Sequence, residues 1–116
     1  MESKVCIDGR EVPFKATAAI PRLYRMQFQR DIMRDMTAIQ KDIESAKETG
    51  DLSVSSLEMF ENVAYVMAKH ADPEGVPASI DEWLDGFDTF SIYKVFPAIA
   101  ALWRANLSTS EESKKK

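Results

Sequence analysis

The chain carries one cysteine, Cys6, and one histidine, His70. A lone thiol excludes an internal disulfide and fits a reducing compartment. A lone imidazole is a poor start for a zinc centre, which takes several His, Cys or carboxylate ligands at set spacing. No metal site and no cofactor is expected. Glycine and proline are scarce, four and five in 116 residues, so the sequence is not low-complexity. Long apolar runs are missing as well. The longest nearly uncharged stretch, Val95 to Trp103, has 9 residues, where a bilayer span takes about 20. Glu2, Asp8 and Glu11 interrupt the N-terminal region, so no signal peptide is expected. Basic excess is also lacking: 15 Lys+Arg face 19 Asp+Glu, a formal charge of −4. Nucleic-acid binding needs a concentrated basic surface. Neither nucleic acid nor membrane is an expected partner.

What remains is a globular composition, 45% apolar and 29% charged. A chain this short buries only about 65% of its extended surface, so self-association would help it. The expected organisation is one globular domain, 1–107, with a hairpin at 4–15 and a helical part at 19–107. Residues 108–116 end in Lys114, Lys115 and Lys116 and read as a disordered tail.

The fold class expected is mainly α (α+β), an N-terminal β-hairpin followed by four or five helices. Asp8-Gly9 lies between two apolar runs, a strong two-residue turn signal because glycine accepts positive φ freely. Pro13 lacks an N–H and belongs on an edge strand. Pro21 fits the first turn of a helix. From there Tyr24, Phe28, Ile32, Met36, Ile39 and Ile43 recur at helical spacing. The stripe is long for one helix, which places a break near Gln29–Arg30, and Gly50 ends it. Ser55-Ser56-Leu57-Glu58 and Ser79-Ile80-Asp81-Glu82 each read as a capping box opening a helix. The first buries Leu57, Phe60, Val63, Ala64 and Met67 and stops near Ala71. The second is short and runs through Trp83, Leu84 and Phe87. A last helix begins near Asp88 to Ser91, carries Ile92, Val95, Phe96, Ile99, Leu102 and Trp103, and should kink at Pro97.

Few residues invite chemistry. Cys6 reads as a buried or half-buried strand position. His70 follows Lys69 at a helix C-terminus, where a partly charged imidazole favours the helix dipole. Asp72 to Asp88 holds six carboxylates and no cation, but its spacing is not that of a calcium loop. It reads as helix capping and a solvated acidic face, with a basic-partner site as the alternative. Arg22, Arg25, Arg30 and Arg34 form the densest basic group, with Asp31 and Asp35 beside them. They pair within and between helices or they form an anion or acidic-partner site. No phosphate-loop, dinucleotide, nucleophile-elbow or zinc-protease motif occurs. With no acid, base, nucleophile or metal set, the chain reads as a binding protein and not an enzyme.

Three blocks are more specific: Phe14 to Arg25 continuing through Phe28 and Arg30 to Met36, Leu57 to Lys69, and Asp81 to Phe87 followed by Phe90 to Tyr93. Together they resemble the tail assembly chaperones of long, non-contractile-tailed bacteriophages and prophages of Gram-positive bacteria. In that family a common variant has Gly at the position of Gln29. The resemblance implies a protein of the host bacterial cytoplasm, absent from the mature virion, that coats the tape measure protein and promotes tail tube polymerisation. It also implies two products: an abundant short form, which this chain resembles, and a frameshifted long form through which the tail tube protein is mainly engaged. The Ser113 to Lys116 stretch is where such a frameshift would fall, a plain solubilising tail being the alternative. For partner binding the residues nominated are Arg22, Tyr24, Arg25, Arg30, Trp83, Phe87 and Tyr93. Of the dense C-terminal aromatics (Trp83, Phe87, Phe90, Tyr93, Phe96 and Trp103), however, most should be core, and one or two on an exposed face would mark an interface. Met26, Met33, Met36, Met59 and Met67 read as core, with a subset at the edge of the stripe as adaptable apolar contacts on the helices. The competing expectation is a small acidic phage-encoded adaptor or regulator that binds a host protein through the Asp72–Asp88 face.

Overall fold

Strands β1 (Glu2–Ile7) and β2 (Arg10–Lys15) pair antiparallel, Val5 opposite Val12 and Ile7 opposite Arg10. Between them Asp8 and Gly9 take φ of 53° and 77°, the left-handed pair that matches strand twist in a two-residue hairpin. Side chains alternate across the ribbon. Val5, Ile7, Val12 and Phe14 face the core, and Lys4, Cys6 and Glu11 face solvent. Cys6 is therefore exposed, which corrects the expectation of a buried thiol: it sits one residue off each of two inward positions. The protein is described by a computed structural model that covers residues 2–115, with side chains through 105.

Five helices follow: α1 (Ile20–Phe28), α2 (Ile32–Thr49), α3 (Val54–Ala71), α4 (Ile80–Asp85) and α5 (Ile92–Lys115). The architecture is the expected one, a hairpin on a mainly helical body. The expected disordered tail at 108–116, and the frameshift position with it, lie outside the residues whose side chains are described. Pro21 enters the first turn of α1, as its missing N–H allows. The break between α1 and α2 falls where the long stripe predicted it. Gln29 caps α1 in the left-handed region, φ 59°, and its amide donates to the Arg25 carbonyl at 2.8 Å. Asp31 then caps α2 by accepting from the Met33 amide at 2.9 Å. Gly50 closes α2 with φ 81°.

Helix α3 begins earlier than its capping box suggested. Ser53 caps it, accepting from the Ser56 amide at 3.1 Å. The amide and hydroxyl of Ser53 both donate to Asp42 Oδ2 at 2.9 Å, which ties the start of α3 back to α2. Ser79 caps α4 as expected, although α4 ends at Asp85, before Phe87. The loop between α3 and α4 is held from inside. Lys69 Nζ donates to the Pro73 and Val76 carbonyls at 2.8 and 2.7 Å, and the Tyr65 hydroxyl donates to the Pro77 carbonyl at 2.5 Å.

α3 is the centre of the molecule. From Val63 to Ala68 every residue is buried, more than the one-sided stripe read from sequence, because β2, α1, α2, α4 and α5 all pack on it. Phe60 at its N-terminal half meets Phe90 at 5.2 Å and Phe96 edge-on at 6.3 Å. A fully buried ring of this kind contributes about 2–3 kcal/mol through apolar burial alone. Ile92, Val95, Phe96, Ile99, Leu102 and Trp103 make the buried stripe of α5, as their spacing predicted. Pro97 lies inside α5 on its exposed side, where the missing donor and ring face water and not the core.

Candidate functional site

The α1–α2 corner gathers most of the nominated residues, and it splits them into two kinds. Arg22 and Arg25 are exposed on α1. Arg30 follows the corner, so that Arg22, Arg25 and Arg30 share the rim of a recess of about 340 Å³ with Pro21, Asp31 and Ile32. Tyr24 lies on the opposite face of α1 and is fully buried. Its hydroxyl donates to Asp35 Oδ2 at 2.5 Å. Arg30 grips the same carboxylate in two-pronged fashion, Nε to Oδ2 at 2.8 Å and Nη2 to Oδ1 at 2.9 Å. Planar guanidinium and carboxylate match in this geometry, which makes it among the stronger charge pairs.

Burial would raise the Asp35 carboxyl. The hydrogen bonds from Arg30 and Tyr24 and the Arg30 charge outweigh it and hold the group below its ordinary range. Burial, then the bond to Asp35, pushes the Tyr24 hydroxyl far above its ordinary value. Tyr24, nominated as a partner contact, is thus buried and ties α1 to α2. Arg30 is half-exposed but spends its hydrogen bonds on Asp35, so the pairing expectation describes it.

Trp83 and Phe87 are also engaged within the fold. Trp83 is buried, edge-on to Tyr65 at 5.7 Å and packed with Phe87 and Phe90. Phe87 is half-buried, and the Arg10 guanidinium covers its ring at 4.7 Å from the centroid. The same guanidinium donates to the Gly86 carbonyl at 2.7 Å. These aromatics fasten the α4–α5 loop to the hairpin. Of the aromatic nominations Tyr93 alone is on the surface, 56% exposed.

The methionines divide as well. Met36, Met59 and Met67 are core, while Met26 and Met33 are 65% and 49% exposed. Leu23 adds to this exposed apolar set on α1. Met33 also borders a feature that sequence reasoning missed, a groove of about 380 Å³ between α2 and α5. Met33, Met36, Phe96, Ala100 and Trp103 give it apolar walls, and Thr37, Gln40, Lys41 and Arg104 give it a polar edge. The sequence signal was Met33, an apolar residue displaced from the buried stripe of α2. The other wall lies on a helix far along the chain, which no local pattern reveals.

The remaining polar clusters are structural. His70 is half-buried, with Nε2 at 2.9 Å from Thr17 Oγ1. Burial, then the Lys15 charge and the N-terminus, pushes its pKa down. A neutral ring bonded to Thr17 replaces the partly charged cap expected from its place on α3. Asp81, Glu82, Asp85 and Asp88 are exposed, so the acidic face exists as a surface. Among the described residues no three His, Cys, Asp or Glu side chains converge as metal ligands would, and no helix is long and apolar enough to cross a membrane.

No protein family matches the chain, and no curated protein or solved structure is significantly similar to it.

Proposed function

We propose that the protein is a tail assembly chaperone of a long-tailed phage or prophage, acting by stoichiometric binding in the host bacterial cytoplasm and left out of the mature virion. The observation that carries this reading is the series of three sequence blocks. They fall on the second strand with α1 and the start of α2, on α3, and on α4 with the start of α5. The blocks therefore span the elements that build the core, and the resemblance is to a whole domain and not to one local motif. Exposed Leu23, Met26, Met33 and Tyr93 supply the weak, adaptable apolar contacts that a coat on a long partner needs, since many copies along one partner give avidity without a tight single site.

The partners of this reading are the tape measure protein, the tail tube protein through a frameshifted longer product, and further copies of the chain. Co-expression with the tape measure protein of the same genome tests it. The chaperone reading expects the tape measure protein to move from the pellet to the soluble fraction and to co-purify with the chain. An unchanged pellet overturns it.

A second reading is a small acidic adaptor that binds a host protein, favoured by the exposed carboxylates Asp81, Glu82, Asp85 and Asp88. An immunoblot of the native locus separates the two. A minor longer band, lost on synonymous recoding of the lysine codons, belongs to the chaperone, because an adaptor needs no second form.

A further inference from the structure

Helix α1 lies on the body as a ridge. Of its nine residues Ile20 and Tyr24 are buried and Phe28 is half-buried, and the other six face solvent. Its sequence holds two arginines and no carboxylate. The helical period sets the outer face in two rows side by side. Arg22 and Arg25, at i and i+3, make one row. Leu23 and Met26, 38% and 65% exposed, make the other. Two like charges one turn apart oppose a helix unless a counter-charge lies close. Neither guanidinium has one: among the described residues the ion pair formed is that of Arg30 with Asp35. The carboxylates around α1 are otherwise engaged or outnumbered. Asp35 is held by Tyr24 and Arg30. Asp31 shares the recess of about 340 Å³ with Arg22, Arg25 and Arg30, and its Oδ1 accepts from the Met33 amide. Glu61 on α3 responds to Glu58 and to no cation. With Arg30 matched by Asp35, the recess keeps two arginines against one aspartate, on a chain whose formal charge is −4.

We propose that the outer face of α1 docks an acidic amphipathic helix of a partner protein, its apolar row against Leu23 and Met26 and its Asp or Glu row against Arg22 and Arg25. Side chains three or four residues apart on the partner then meet side chains three apart on α1. Arginine suits this contact, because its planar fork takes a carboxylate through two bonds. The recess beside Arg22 and Arg25 gives one carboxylate room to sit between them. Charge selects the occupant. A lysine-flanked helix would set like charges on the arginine row, which disfavours it. The exposed carboxylates Asp81, Glu82, Asp85 and Asp88 turn an acidic helix away from α4. That the helix belongs to the tape measure protein rests on the chaperone reading, whereas the chemistry of the face does not.

The test uses synthetic helical peptides of about 18 residues. One carries a leucine row flanked by Glu, one the same row flanked by Lys, and one the Glu residues with glutamine in place of leucine. Isothermal titration of the unaltered chain needs no substitution. The Glu-flanked leucine peptide is expected to bind roughly tenfold more tightly than either control, with affinity that falls as salt rises. In the Arg22→Glu, Arg25→Glu variant the order of the Glu- and Lys-flanked peptides reverses. In the Leu23→Gln, Met26→Gln variant the leucine peptides bind no better than the glutamine one. All four positions are exposed, and thermal melts check that each variant keeps the native fold. Equal binding of the Glu- and Lys-flanked peptides, binding of none, or a Glu preference that survives the charge reversal overturns the proposal. So does full binding of the glutamine peptide, which would make α1 an anion site alone. A dimer of the unaltered chain that the charge reversal dissociates also overturns it, because the face would then belong to a second copy. Failure here with the tape measure protein still solubilised in co-expression removes the docking face and leaves the chaperone reading. Peptide binding without tape measure solubilisation does the reverse.

Discussion

The Tyr24 hydroxyl donates to a carboxylate oxygen of Asp35 at 2.5 Å, joining the buried face of α1 to the first turn of α2 across the corner at Gln29. Arg30 closes the other side of the same carboxylate. Because Asp35 is buried and doubly held, removing either partner has unequal effects. Tyr24→Phe leaves the Arg30 pair and is expected to cost about 1–2 kcal/mol. Asp35→Ala strands the buried Tyr24 hydroxyl and leaves the half-exposed Arg30 to water, and is expected to cost about 2–3 kcal/mol. Urea titration of both variants checks the order, and an Asp35→Ala no worse than Tyr24→Phe would sink this account.

The same carboxylate sets an acid limit. Its folded-state pKa lies below the ordinary 3.8, so the unfolded state takes up the proton first. The stabilisation is fully present above about pH 4 and is lost as pH falls through the lower folded value. Melting temperature should therefore drop steeply below pH 4 in the native chain. The drop should be shallower in Asp35→Asn, measured from a lower starting point.

His70 gives a second case of the same sign, nearer neutrality. Burial lowers its pKa from 6.5, so protonation favours the unfolded chain. Stability should be level above about pH 6.5 and should decline as pH falls below it. Melts at pH 7.5 and 5.5 on the native chain and on His70→Gln provide the check. A native chain that gains stability on this descent would rule the assignment out.

The helix break offers a stabilising substitution. Gln29 holds φ 59°, a conformation that costs a side chain roughly 1 kcal/mol and glycine almost nothing. Gln29→Gly should raise stability by about 0.5–1 kcal/mol, less the bond from its side-chain amide to the Met26 carbonyl at 3.2 Å. Gly50→Ala should do the reverse by a similar amount. Its φ is 81° and no atom lies within 4 Å of an added Cβ, so conformation alone is at stake.

Asp8 fastens the hairpin turn to the loop before α5. Its carboxylate accepts from the Asp88 amide at 2.6 Å, the Thr89 amide at 3.3 Å and the Thr89 hydroxyl at 2.7 Å. Asn tolerates the same left-handed backbone, so Asp8→Asn keeps the turn and weakens the clasp. Faster hydrogen exchange at the Asp88 and Thr89 amides, with the strand amides unchanged, is the expected result. Uniformly faster exchange would mean that the turn itself had failed.

The sequence was most legible where structure is local. Asp8-Gly9, Ser79 and Gly50 each act within a few residues, and each stands where its chemistry placed it. Legibility failed where a side chain's fate depended on a distant element. Val5-Cys6-Ile7 reads as one apolar run, but the strand period sends the middle residue outward. Tyr24 sits on the helical stripe with arginines to either side, and only Asp35 across the corner decides that its hydroxyl turns in. Among the C-terminal aromatics, expected mostly in the core, the sequence does not single out which are covered, because nothing local announces Tyr65, Phe90 or Arg10 as the covers of Trp83 and Phe87. Of the nominated contacts, Arg22, Arg25 and Tyr93 are exposed without such a cover, while the α2–α5 groove needed two helices seen side by side.

The placement of α3 constrains how any binding surface here is to be mapped. Strand β2 and all four other helices lean on it, so a contiguous fragment that leaves out α3 loses the hydrophobic partners of its elements. The hairpin alone would lose the surface that covers Val12 and Phe14, and α1 with α2 would lose the wall behind Tyr24 and Ile39. Truncation series would report collapse and not contact. Single replacements at solvent-facing positions such as Met26, Lys41, Tyr93 and Arg104 are the way to trace where another molecule touches this one.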